Sequence, residues 1–119
     1  MLLDFQQFVD VDVCSLTTRG RVSGRPHTIE IWFALHGHTL YLLSGAREQA
    51  DWVKNVLRFP AVQVKIKGTL FSGQARLVSD PEENSLARTL LYDKYTPRSG
   101  DDLHDWSRSA LPVAVDLTI

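Results

Sequence analysis

The residues best suited to chemistry fall in one short stretch. Thr17, Thr18, Arg19, Arg21, Ser23, Arg25 and His27 lie between two apolar runs, with Gly20, Gly24 and Pro26 among them. Guanidiniums offer fixed forks of N–H donors, and glycine lets backbone amides approach a bound group. Together they describe a seat for an anion, although solvation alone also selects charge on a loop. A second segment, Ser44-Gly45-Ala46-Arg47, sits where an apolar run gives way to a helical pattern, and free amides at a helix start favour phosphate.

Other constellations are weaker. There are four histidines: His36 and His38 flank Gly37, while His27 and His104 stand far apart. No H-E-x-x-H pattern or second cysteine accompanies them, so no metal site is expected. Ser44, His27 and Asp51 can be drawn as a hydrolytic triad, but no G-x-S-x-G elbow supports one. The lone Cys14 lies in Val13-Cys14-Ser15-Leu16 and reads as a small buried hydrophobe. With one cysteine no intrachain disulfide can form, which suits a reducing, cytoplasmic setting. Met1-Leu2-Leu3-Asp4 lacks the basic start of a signal peptide, and no apolar run is long enough to cross a bilayer.

These residues must be positioned by one domain of 119 residues. Hydrophobic residues make up 44%, enough for one core, and the net charge of -1 argues against a general nucleic-acid binder. The pattern predicts a helical turn or two within residues 2–9 and a strand from Val11 to Thr18. Residues His27 to Leu35 read as one alternating strand, with Ile29, Ile31 and Phe33 on one face and Thr28, Glu30 and Trp32 on the other. His36-Gly37-His38 then turns the chain into a return strand over Thr39–Ser44. Glu48 to Phe59 shifts to helical spacing through Trp52, Val53, Val56 and Leu57, and Pro60 stops it.

Val62–Lys67 and Thr69–Ser79 form the next two strands, turned by Gly68, with Gly73 as a bulge or bend. Asp80-Pro81-Glu82-Glu83 starts a helix with Asp as cap and Pro at its first position. It should bury Leu86, Leu90 and Leu91 and end at Pro97. A further helical turn is expected within 100–108, and a last strand over Pro112–Ile119. The order β, ββ, α, ββ, α, β suits an α+β barrel and not a doubly wound sheet.

The string LTTRGRVSGRPHTIEIWFALHGHTLYLLSG, followed by ADWVKNVLRFPAVQVKI, resembles the split-barrel flavin/deazaflavin oxidoreductases. It is most similar to their deazaflavin-dependent nitroreductase branch, itself related to pyridoxamine 5'-phosphate oxidases. The resemblance covers Leu16 to Gly68 well and the rest loosely. It implies a six-stranded antiparallel split β-barrel with two to three helices. It implies a site for coenzyme F-420 (8-hydroxy-5-deazaflavin), with FMN, FAD or haem in other branches.

By the same resemblance Arg21, Ser23, Gly24, Arg25, Pro26 and His27 would embrace the cofactor tail. Ser44, Gly45 and Arg47 would meet its phosphate or ring edge, and Trp52 and Asn55 would fix the helix beside it. Val22 and His27 stand where the family often has basic residues, and the stretch from Gly45 to Trp52 is shorter than in the nitroreductase branch. The implied activity is hydride transfer between the deazaflavin and a small electrophilic substrate, with Tyr92 and Tyr95 as substrate-side groups or simple packing. A non-catalytic flavin, haem or apolar-ligand carrier on the same fold is the rival reading, as is an FMN-dependent reductase. Trp32 and Phe33 face opposite sides of one strand, so a second covering surface is needed and a homodimer is expected.

Overall fold

The structure is a computed structural model and describes residues 5–118. A 3₁₀ turn, Phe5–Phe8, precedes β1 (Cys14–Arg19); the rest of the turn expected at residues 2–4 lies outside the described residues. Six further strands follow: β2 (Pro26–Ile31), β3 (Ala34–His36), β4 (Thr39–Ser44), β5 (Ala61–Ile66), β6 (Thr69–Leu77) and β7 (Leu111–Leu117). The helices are α1 (Asp51–Arg58), α2 (Pro81–Ser99) and α3 (His104–Ser109), with a 3₁₀ turn over Arg47–Gln49 before α1. The strands make one antiparallel sheet in the order β2-β1-β5-β6-β7-β4-β3. Its two edge strands are consecutive in the chain and only Trp32-Phe33 joins them, so the sheet must curl into a half-barrel.

That corner corrects the sequence expectation. The alternation through His27–Leu35 is continuous and reads as one strand, yet the chain pairs with β1 before Trp32 and with β4 after Phe33. The described residues therefore hold seven strands, not six. The backbone leaves the ladder because side chains replace it. Phe33 N–H donates to Tyr95 Oη at 2.9 Å, and Lys94 Nζ donates to the Phe33 carbonyl at 2.9 Å.

The sheet has two apolar faces. Leu16, Phe33, Leu40, Leu42, Val64, Ile66, Val113 and Val115 pack inside the curl with Phe5, Phe8 and, from α1, Val53 and Val56. Tyr41, Leu43 and Ala114 point the other way, onto Ala87, Leu91 and Tyr95 of α2. β4 is thus covered on both faces, as its unbroken Leu/Tyr run requires. Trp32 joins the second face, stacked on Tyr95 with ring centroids 4.3 Å apart and meeting Trp106 of α3 edge-on. The covering surface sought for Trp32 therefore lies within the chain.

Three local expectations change. Gly73 stays in register with Leu117 instead of forming a bulge. Pro97 does not end α2, which continues to Ser99 and stops at Gly100 with φ +74°. The α2 stripe is Ala87, Leu91 and Tyr95, with Leu86 and Leu90 only half-buried, and Leu57 of α1 is exposed. Among the described residues no helix is long and apolar enough to cross a membrane.

Candidate functional site

The loop between β1 and β2 is closed on itself. Gly20 N–H donates to the Arg25 carbonyl and Gly24 N–H to the Gly20 carbonyl, both at 2.8 Å. Gly24 takes φ +73°, a conformation glycine adopts freely. Ser23 Oγ accepts from Arg25 N at 3.1 Å. The glycine at 20 admits His27 closely: a Cβ there would lie 2.6 Å from the imidazole Nε2 and 2.8 Å from Ser23 Oγ.

Asn55 ties this loop to α1. It is buried, and its amide donates to Thr18 Oγ1 at 3.1 Å. Its Oδ1 accepts from Arg21 N at 3.1 Å and from Arg21 Nη1 at 2.9 Å. One helical turn earlier, Asp51 Oδ1 pairs with Arg21 Nη2 at 3.1 Å. Residues four apart share a helix face, so Asp51 and Asn55 present one carboxylate and one amide to the same guanidinium. The result is a fixed Arg21 whose charge is partly matched by a well-exposed Asp51.

Beside it runs a groove of about 660 Å³, lined by Thr18, Gly20, Arg21, Val22, Ser23, His27, Thr28, Ile29, Asp51, Trp52 and Asn55. Its size is that of a small-molecule site. Its lining brings together donors from Arg21, Ser23 and His27, the Asp51 carboxylate, and the apolar surfaces of Trp52 and Ile29, while Val22 in the same lining stands 93% exposed. The groove can therefore take a ligand with an anionic part and a flat apolar part.

The remaining sequence-derived residues lie elsewhere. Gly24 and Pro26 line a separate hollow with Thr17, Val62 and Ser72. The Arg25 side chain is exposed and lines neither. Ser44 is buried and its hydroxyl donates to the Arg47 carbonyl at 2.9 Å. Arg47 pairs with Glu48 and donates to the Ser109 carbonyl, and Gly45 lies against Trp106. So Ser44, Gly45 and Arg47 pack toward α3, and Arg47 does not join Arg21 in the groove. Ser44 likewise stands outside the groove that holds His27 and Asp51, so the three do not form a triad.

A second, apolar cleft of about 490 Å³ lies next along β2, lined by Val13, Glu30, Ile31, Trp32, Leu43, Leu103 and Trp106. Thr28 and Ile29 face the groove and Glu30 and Ile31 the cleft, so the two are successive on one strand.

Sequence reasoning missed Asp51 as a groove residue. The available signal was its spacing of four from Asn55 opposite a basic loop. Cys14 is buried and free, and desolvation pushes its thiol up to about 12, which leaves it inert. Tyr95 is engaged at the β2–β3 corner, and Tyr92 faces α3. Among the described residues no group of three His, Cys, Asp or Glu is placed to hold a metal.

Solved structures of similar shape share little sequence. A conserved hypothetical protein from Mycobacterium tuberculosis superposes with a TM-score of 0.74 at 20% identity, covering 100% of this chain and 82% of that one. An F420-H2 dependent reductase gives 0.69 at 19%, covering 87% and 92%. An FAD-binding protein from Mesorhizobium loti gives 0.66 at 16%, covering 98% and 91%. At such identities the likeness speaks for the fold. The sequence itself matches a family model: residues 5–118 fit the F420H(2)-dependent quinone reductase family, and the chain belongs to that family.

Proposed function

We propose that this chain is a reductase that binds coenzyme F-420 and delivers a hydride to a small electrophilic organic acceptor. The observation that carries the reading is the groove in which Arg21, Ser23, His27, Trp52 and Asn55 meet. The donor set fits such a cofactor: cationic and hydroxyl groups in the lining suit an anionic tail, and an indole suits a flat ring. The deazaflavin supplies a two-electron hydride equivalent when bound, so the protein's task is binding and orientation. Arg21 and His27 hold the tail, with Ser23 adding a hydroxyl. Gly24, Arg25 and Pro26 set the loop's shape. Asn55 keeps that loop on α1, and Trp52 walls the groove. Ser44, Gly45 and Arg47 stay outside the groove, and the adjoining apolar cleft beside Trp32 and Trp106 seats the acceptor. Solvent water can supply the proton. A buried thiol and a single cysteine suit a reducing, cytoplasmic compartment.

The test is a titration of coenzyme F-420 and of FMN into wild type, Arg21→Ala and Asp51→Asn, with thermal melts alongside. A charge-assisted hydrogen bond is worth roughly 1.5–3 kcal/mol. Arg21→Ala should therefore weaken deazaflavin binding about ten- to a hundredfold. Asp51→Asn frees the guanidinium of its counter-charge and should tighten it. Equal affinities across the three proteins would take the groove out of cofactor binding. Tighter FMN than F-420 would favour the flavin-dependent alternative, and binding without turnover of the reduced cofactor on an acceptor panel would favour a carrier.

We also propose a homodimer formed through β2. Among the described residues its outer edge is unpaired, its residues are largely exposed, and apolar Val22 and the Trp32 cleft flank it. Light scattering should return twice the chain mass of 13.4 kDa. The single-chain mass across a concentration series would count against it.

A further inference from the structure

Between α2 and α3 lies a hollow of about 450 Å³, away from the groove along β2. Arg88, Thr89 and Tyr92 line it from one helix, and His104, Ser107 and Arg108 from the other. All six carry hydrogen-bonding side chains, and none is a carboxylate. Asp102 accepts from His104 N at 3.0 Å at the start of α3, and neither it nor the chain neighbours Asp93 and Asp105 are in the lining.

The two guanidiniums are unmatched. Arg21, Arg47, Arg76 and Arg98 each pair with a carboxylate; among the described residues Arg88 and Arg108 do not, nor do Arg19, Arg25 and Arg58, but only Arg88 and Arg108 line one hollow together. Arg88 is half-buried and locked in place. Its Nε donates to Asn84 Oδ1 at 2.7 Å and its Nη1 to the Ser107 carbonyl at 2.9 Å, and among the described residues Nη2 has no acceptor. Burial, and next the charge of Arg47, disfavours its protonated form. Arg108 has one polar contact, Nη1 at 3.3 Å from His104 Nε2. The fold thus holds a fixed, partly desolvated cation and a second one around the same space, with no carboxylate among the described residues of its lining to offset them.

We propose that this hollow is a second ligand site that takes a phosphate-type oxyanion. Its donors come from two facing helices, from the guanidiniums and from the Thr89 and Tyr92 hydroxyls, the Ser107 hydroxyl being already given to the His104 carbonyl at 2.9 Å. That spread suits a tetrahedral anion, whereas a carboxylate needs only one planar fork. The space between the helices leaves room for the organic part of a phosphate monoester.

Inorganic phosphate is the probe, titrated at constant ionic strength into wild type, Arg108→Gln and Arg21→Gln while the Tyr92 and His104 ring signals are followed by NMR. Arg108 is exposed and makes one weak contact, so its replacement leaves the fold intact, which a thermal melt checks. Saturable binding is expected in wild type, about tenfold weaker in Arg108→Gln and unchanged in Arg21→Gln. Tighter binding of glycerol phosphate than of phosphate would assign the site to an ester, and the reverse order to the free anion. Absence of saturation, equal affinity in wild type and Arg108→Gln, or loss only in Arg21→Gln would overturn the proposal. The last result would also leave the cofactor groove standing, so the two sites fail separately.

Discussion

Two glycines show how one sequence signal can have different causes. A Cβ on Gly73 would come within 2.7 Å of Val115 Cγ1 and 2.9 Å of the Asp116 carbonyl oxygen, which belongs to the neighbouring strand's backbone. The sheet cannot yield there without parting β6 from β7. Gly73→Ala is therefore expected to cost roughly 1–3 kcal/mol, read as a lower midpoint in urea. At Gly20 the obstructing atoms belong to His27 and Ser23, which can swing aside. Gly20→Ala should leave the melt nearly unchanged and alter cofactor affinity, because the displaced groups line the groove. Comparable stability losses in the two variants would contradict this division. In sequence, Gly73 reads as a bulge because a glycine inside a strand permits either a bend or a close approach, and only the partner strand decides. Arg21 is legible as a basic loop residue; that Asp51 and Asn55 hold it is not, since their pairing depends on how α1 packs.

At the scale of elements, period was a good guide and boundaries were not. The alternation of Val62, Val64 and Ile66 and the cap at Asp80, which accepts from Glu83 N at 2.9 Å, were readable directly. The split of β2 from β3 was not, because its cause lies sixty residues away. α2 runs past Pro97 because its last turns are fastened from outside. Arg98 donates to the Asp10 carbonyl and to Asp12 Oδ1, and Tyr95 Oη donates to the Asp12 carbonyl at 2.7 Å. Tertiary contacts there outweigh the proline's local effect. The same hydroxyl accepts from Phe33 N, so Tyr95→Phe would leave a buried N–H with no acceptor at the corner that lets the sheet curl. An unsatisfied buried donor costs roughly 1–3 kcal/mol. The expected outcome is a lower denaturation midpoint with an unchanged slope. Wild-type stability in Tyr95→Phe would mean that the corner does not depend on this bond.

One ionic lattice ties three strands of the sheet to the longest helix. Arg76 on β6 bonds both oxygens of Glu83 on α2 at 2.7 Å, and Asp116 on β7 at 2.7 and 3.2 Å. Tyr41 on β4 donates to Glu83 at 2.7 Å, and Thr39 to Asp116 at 3.2 Å. Three strands and the longest helix meet at one guanidinium. Hydrogen bonds from Arg76, then from Tyr41, pull the Glu83 carboxyl from an ordinary 4.5 down to about 2, and Arg76 lowers Asp116 too. A carboxyl whose folded value is depressed adds stability that is complete above its unfolded value. That stability is lost as the pH falls through the folded one. The contribution of Glu83 should therefore hold above about pH 4.5 and drain away toward pH 2. Partial exposure of Arg76 and Asp116 keeps each pair individually modest, so the effect belongs to the connected set. In Glu83→Gln the melting temperature at neutral pH should drop, and its fall between pH 5 and 2 should flatten relative to wild type. Glu82→Gln, at an exposed neighbour outside the lattice, should leave both unchanged. Parallel acid profiles for wild type and Glu83→Gln would show that the lattice does not govern acid stability.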